Sequence, residues 1–120
     1  KRFCHCDTYA PNWMLTDNET ILIDWEYSGN ADPGCDLGAY IMDAMYEVEE
    51  TEKFIGEYLQ ENNTPVAMFH HLAYVAIISY YWFVWALYRE SCGAVMGESL
   101  HNWHTMAEKY STYLVEKYLK

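Results

Sequence analysis

The chain has 120 residues, 52% of them hydrophobic, with twelve Tyr and five Trp, which makes one domain at most, large enough to bury a core. Seven Lys and Arg against 18 Asp and Glu give a net charge of −11; this argues against nucleic acid as a partner, because phosphate backbones are held by clustered cations. Such an acidic chain suits a cationic ligand, and an anionic nucleotide would need a metal ion and basic groups from elsewhere.

The segment Phe3-Cys4-His5-Cys6-Asp7-Thr8-Tyr9-Ala10-Pro11-Asn12 reads as a loop carrying His5, Asp7 and Asn12. Two short apolar runs follow, Trp13 to Leu15 and Thr20 to Ile23, joined by the polar Thr16-Asp17-Asn18-Glu19, which predicts a β-hairpin. The hairpin returns Asp24 to the side of Asn12 and leaves Asp7 a few residues away on the entering loop. Phosphoryl transfer needs such a set: one carboxylate accepts the proton of the attacking hydroxyl, while a carboxylate and an amide hold Mg²⁺, which prefers hard oxygen ligands.

Ser28 to Gly34 is dense in turn formers and predicts a loop. Asp36 then caps or opens a helix in which Leu37, Tyr40, Ile41, Ala44, Met45 and Val48 recur at helical spacing. A second helix is expected from about Glu50 to Gln60, ended by Asn62, Asn63 and Pro65. From Thr64 to Tyr88 there is no charged residue. That length would span a bilayer, but His70, His71 and four Tyr dilute its hydropathy, and a buried central helix accounts for it equally well. A break near Ser91 to Ala94 precedes a last helix whose buried face is marked by Leu100, Trp103, Met106, Tyr110, Leu114 and Leu119.

Cys4, Cys6, Cys35 and Cys92 do not form a convincing disulfide framework, and reduced thiols in the cytoplasm are the expectation. Cys4-x-Cys6 with His101-x-x-His104 offers zinc ligands in principle, but C-x-C is not the usual knuckle spacing.

His5-x-Asp7-x-x-x-x-Asn12, followed twelve residues later by Asp24, resembles the catalytic and metal-binding loops of the kinase-like phosphotransferases. The continuation Ile23-Asp24-Trp25-Glu26-Tyr27-Ser28, then Asp32-Pro33-Gly34-Cys35-Asp36-Leu37-Gly38, resembles the choline/ethanolamine kinase family, bacterial choline kinases included. The resemblance is close over roughly the first fifty residues and looser beyond. It implies that Asp7 is the catalytic base, that His5 holds its loop, that Asn12 and Asp24 are Mg²⁺ ligands and that Asp36 hydrogen-bonds the loop backbone. It also implies ATP as co-substrate and a mainly α fold: the C-terminal lobe of a kinase-like enzyme over residues 1–120, a catalytic loop and short hairpin packed on about four helices. No Gly-rich phosphate loop and no strand lysine precede the catalytic loop, so the chain reads as that lobe without its nucleotide-clamping partner. Apolar surface left without the partner lobe predicts a homo-oligomer.

Trp82 and Trp85 are three residues apart, so their rings share a helix face. Core packing produces such stripes too, but choline kinases carry a similar W-x-x-W, and Trp is the best partner for a quaternary ammonium. Asp43, two helical turns after Asp36, is the carboxylate placed to attract that cation. Tyr27 and Tyr46 are further candidate walls, and Trp103 a weaker one. The expected activity is phosphorylation of choline; a kinase for ethanolamine, an aminoglycoside or a sugar, or a non-catalytic helical binding module, are the alternatives.

Overall fold

In a computed structural model that describes residues 1–120, the uncharged run forms the longest element, helix α3 (Pro65–Ser91), and the other helices are arranged around it. Thr64 caps its start by accepting the Ala67 N–H at 3.1 Å, and Pro65 takes the first turn, where no N–H is needed. Helix α1 (Gly34–Asp43) crosses its N-terminal half and α4 (Glu98–Leu114) lies along it, while α2 (Val48–Leu59) closes the layer. The core is Ile41 and Met42 of α1, Ile55 and Leu59 of α2, Leu72, Val75 and Ala76 of α3, and Met106, Tyr110 and Leu114 of α4.

The strands are short. The expected hairpin is strand β2 (Trp13–Leu15) antiparallel to β3 (Thr20–Leu22), with Trp13 opposite Leu22. A second antiparallel pair joins β1 (Arg2–Cys4) to β4 (Gly29–Ala31), Phe3 opposite Asn30. This pair occupies part of the stretch expected to be loop. Gly-Asn-Ala has little strand propensity of its own, and its pairing follows from the tertiary anchoring of the residues after β1. The mainly helical fold with its small hairpin and four helices is that of a C-terminal kinase-like lobe.

Helix α1 begins two residues earlier and ends sooner than the periodicity predicts. Met45 adopts φ +55, and the chain turns away there before Glu47 starts α2 with a capping box, its N–H donating to Glu50 Oε2 at 3.1 Å. The Tyr110 hydroxyl, buried in the core, ties the layers: it donates to the Tyr46 carbonyl at 3.0 Å and meets the Thr51 hydroxyl at 2.5 Å. Burial pushes that phenol up to about 12, so it stays a donor at every ordinary pH. At the surface Lys109 of α4 pairs with Glu47, which caps α2, and Lys117, in the turn that follows α4, pairs with Glu52 of α2; such pairs contribute about 0–1 kcal/mol each.

Two glycines set the α1–α3 approach. A Cβ at Gly34 would lie 2.5 Å from the Cγ of Tyr74, and one at Gly38 would lie 3.0 Å from the Tyr74 carbonyl oxygen. The first neighbour is the stem of a ring and the second is backbone, so neither can yield cheaply. Gly34→Ala should therefore destabilise the fold by about 2 kcal/mol through overpacking, read as a lowered urea midpoint. Gly29→Ala, with nothing within 4 Å of its added carbon, should stay within about 0.5 kcal/mol of the parent; equal losses at both positions would place the cost in backbone entropy and not in the contact.

Candidate active site

The loop between β1 and β2 is held from behind by α1. Asp36, in the helix's first turn, accepts the Cys6 N–H at 2.7 Å and the His5 N–H at 3.0 Å, and its own carbonyl accepts the Thr8 hydroxyl at 2.5 Å. Hydrogen bonds to a carboxylate are roughly twice as strong as neutral ones. They offset the left-handed backbone of Cys6, φ +67 in a residue that is not glycine, which costs on the order of 1–3 kcal/mol.

His5 is almost wholly buried. Its Nε2–H donates to the Ile23 carbonyl at 2.8 Å, its Nδ1 accepts the Asp7 N–H at 3.2 Å, and the Trp25 ring stands edge-on 4.6 Å away. Both ring nitrogens are thereby used, which fixes the tautomer and ties Asp7 to the strand leading into Asp24. Asn12, also buried, donates through Nδ2 to the Asp7 carbonyl at 2.8 Å and to Asp7 Oδ2 at 3.1 Å, while its main-chain oxygen accepts the Ile23 N–H at 2.9 Å. Its side-chain oxygen makes no hydrogen bond within the chain. Asp24, adjacent to Ile23, sits in the left-handed region at φ +64.

These acids face a cavity of about 470 Å³, within the range of small-molecule sites. Asp7, Asp24, Glu26 and Asp43 supply its carboxylates, and no Lys or Arg lines it. The aromatic wall comes from α3 and α4: the rings of Trp82 and Trp85 lie 5.3 Å apart and nearly perpendicular, and Trp103 approaches Trp82 at 6.0 Å. Arg89 stacks on Trp85, its guanidinium 5.5 Å from the ring centre.

Of the residues singled out in the sequence, Asp7, Asp24, Asp43, Tyr27, Trp82, Trp85 and Trp103 therefore line one cavity. His5 and Asp36 lie behind the loop, and Asn12 is turned onto Asp7. Tyr46 is not part of this wall. The turn at Met45 carries it between α1 and α2, where it packs against Tyr40 and Phe54. Tyr9, Glu26, Met96 and Ser99 also line the cavity. Glu26 is the next acid after Asp24 within the Asp24-Trp25-Glu26-Tyr27 run, but Met96, in the turn before α4, and Ser99, in the first turn of α4, are marked by no motif.

Burial pushes the Asp7 carboxyl above its ordinary range, against the Asn12 hydrogen bond and His5; Asp24 and Glu26 push the same way. Burial, with Asp7, Asp24 and Asp43, likewise raises the Tyr9 phenol. No trio of His, Cys, Asp or Glu side chains is close enough to hold a metal unaided, so a metal here needs the Asn12 amide or the substrate's own oxygens.

Residues 1–73 match the phosphotransferase enzyme family APH. This is more than half of the chain, from β1 into α3, and the chain belongs to that family. Among curated proteins it is similar to Protein LicA of Haemophilus influenzae, with 28% identity over 103 residues, 81% of this chain and 39% of the protein from strain ATCC 51907 / DSM 11121 / KW20 / Rd. A second Haemophilus influenzae Protein LicA gives the same identity over 30% of its length. The chain thus spans between three-tenths and two-fifths of the length of these relatives. No solved structure matches significantly.

The raised Asp7 has a consequence for stability. The fold disfavours its ionised form, so a penalty is present above the folded-state pKa and disappears as pH falls toward the ordinary 3.8. Asp7→Asn, which can still accept from Asn12, should melt higher than the parent at pH 7, with the difference shrinking as pH is lowered toward 4. A difference that grows on acidification would reverse the sign of the electrostatic argument.

Proposed function

We propose that residues 1–120 form the catalytic-loop and acceptor-binding lobe of a choline kinase, transferring the γ-phosphoryl group of ATP to the choline hydroxyl. The observation that carries the reading is the cavity itself: carboxylates on one side, three tryptophans on the other, no basic group between them. A trimethylammonium group donates no conventional hydrogen bond and is held by ring faces, each contact contributing about 0.5–2 kcal/mol. Residues 1–73, which match the family, carry Asp7, Asn12 and Asp24. The tryptophan wall lies beyond them, so the acceptor class is argued from the pocket's chemistry.

In this reading Asp7 accepts the proton of the acceptor hydroxyl as its oxygen attacks phosphorus, and its raised pKa makes it a better base than an exposed carboxylate. Asn12 holds Asp7 through Nδ2 and keeps its oxygen for a cation. That oxygen and the Asp24 carboxylate fit Mg²⁺, a hard ion usually bound by one or two protein groups together with phosphates and water. Held by them, Mg²⁺ would supply positive charge to offset that developing on the phosphates. Trp82 and Trp85, helped by Tyr27, Trp103 and the charge of Asp43, orient the cationic end. The four carboxylates also favour a second reading, a kinase for ethanolamine or an aminoglycoside, whose ammonium groups donate hydrogen bonds. Four free thiols support a reducing, cytoplasmic setting. A Ser79 hydroxyl buried in α3 and bonded to the Val75 carbonyl supports a core role for that helix, although α3 is long and apolar enough to cross a membrane.

Titration with choline should quench tryptophan fluorescence saturably, and Trp85→Ala should weaken choline about 2- to 30-fold in a full-length enzyme while leaving the Mg·ATP KM unchanged. Tighter binding and faster turnover of ethanolamine or an aminoglycoside would favour the second reading.

Exposed apolar side chains on the hairpin and α3, among them Leu15, Ile77, Tyr80 and Tyr88, also support self-association of this chain. Sedimentation at high concentration should reveal dimers or larger species; a monomer throughout would remove that part of the reading.

A further inference from the structure

The Asp43 carboxylate does two things at once. It lines the cavity, and its Oδ2 accepts the Ala10 N–H at 2.7 Å, 33 residues away in sequence. Ala10 opens the one-turn 3₁₀ helix Ala10–Asn12, whose preceding residue, Tyr9, provides no side-chain cap. The first N–H groups of such a turn have no partner inside it, and Pro11 brings none. Asp43 therefore acts as a cap supplied from another helix, with the favourable sign for a negative group at a turn's N-terminal end.

The turn ends at Asn12, whose amide holds Asp7 through both its carbonyl and its carboxylate. On α1, Asp36 and Asp43 stand two turns apart, about 10 Å along the axis and on nearly one face. The first clamps the loop at His5 and Cys6, the second at Ala10, and Asp7 lies between the clamps. One rigid helix thus fixes both ends of the segment that carries the base.

We propose that Asp43 is a positioning residue of the catalytic loop, acting on Asn12 and Asp7 through the Ala10 amide, and that its attraction for the acceptor is secondary. The effect on turnover rests on the phosphotransferase reading above; the effect on the loop does not.

The two substitutions that separate these roles are Asp43→Asn, which removes the charge but retains an oxygen able to accept from Ala10, and Asp43→Ala, which removes both. Amide hydrogen exchange at Ala10, measured by NMR, should be slow in the parent and in Asp43→Asn and faster by about tenfold or more in Asp43→Ala. In a full-length enzyme, Asp43→Ala should lower kcat about 10- to 100-fold, the scale on which groups supporting a metal and its ligands act. Asp43→Asn should recover kcat to within about threefold while raising the acceptor KM. Equal exchange at Ala10 in all three proteins would overturn the proposal. So would a kcat lost equally in both variants, or retained in both with only KM raised, since either makes Asp43 a charge for the acceptor alone. A parent enzyme that does not phosphorylate choline would refute the acceptor assignment, and the exchange comparison would still decide the positioning role.

Discussion

The carboxylate of Asp36, accepting two consecutive backbone N–H groups from His5 and Cys6, is the interaction on which the site depends. The loop it holds contains no glycine, yet Cys6 must sit at positive φ, a conformation that a free loop would relax. Charge-assisted bonds hold it there. Their reach depends in turn on how near α1 can lie to its neighbours, and Gly34 and Gly38 remove the Cβ atoms that would keep α1 off Tyr74. The Asp-x-Gly-x-Asp-x-Gly spacing is therefore one device: glycines to seat the helix, and an acid on the seated helix to fix the loop.

A second constraint runs against stability. Four carboxylates converge on one cavity with no basic residue among them, and Asp7 is pushed up by burial and by its acidic neighbours. A chain selected for stability alone would pair or remove some of that charge. Under the proposed function that uncompensated charge has a use, since a cavity lined by carboxylates alone favours a cation. The anchors behind the loop make no such compromise: His5 uses both ring nitrogens, Asn12 both amide hydrogens, and Thr8 its hydroxyl. The unpaired negative charge is concentrated on the cavity side of the loop.

What could be read from the sequence was whatever is encoded locally. The hairpin was legible because Thr16 to Glu19 has turn chemistry between two apolar runs, and α3 because Pro65 and the arginine at Arg89 bound an uncharged stretch. That Asp7, Asp24, Asp43, Trp82 and Trp85 share one cavity was implied by the resemblance to kinase-like phosphotransferases, since spacing alone leaves the tryptophan pair equally readable as core. The β1–β4 pair was not legible, since Gly29-Asn30-Ala31 carries turn composition and is made a strand by tertiary contacts. Tyr46 was a candidate wall by residue type, and a single left-handed residue, Met45, ends the helical register before it and turns it away from the cavity. The Asp43–Ala10 bond joins two residues that no local pattern connects, and so a carboxylate legible only as a charge turned out to hold backbone as well.

Helix α3 shows why one element can carry both packing and recognition. Leu72, Val75 and Ala76 of its N-terminal half and Ser79 at its middle are buried against the other helices, and Trp82 and Trp85 follow one and two turns later, where the helix runs past the cavity. Trp82 packs directly against the core, and Trp85 is held between Trp82 and Arg89, so both rings have less rotamer freedom to lose when a ligand binds. Trp103 from α4 and Arg89 from the last turn of α3 brace the pair from either side. The aromatic wall is thus an extension of the core to the surface of the cavity, and the acids face it from a loop that is held just as firmly. Both surfaces are in place before anything binds, so under the proposed function little binding energy would be consumed in assembling the site.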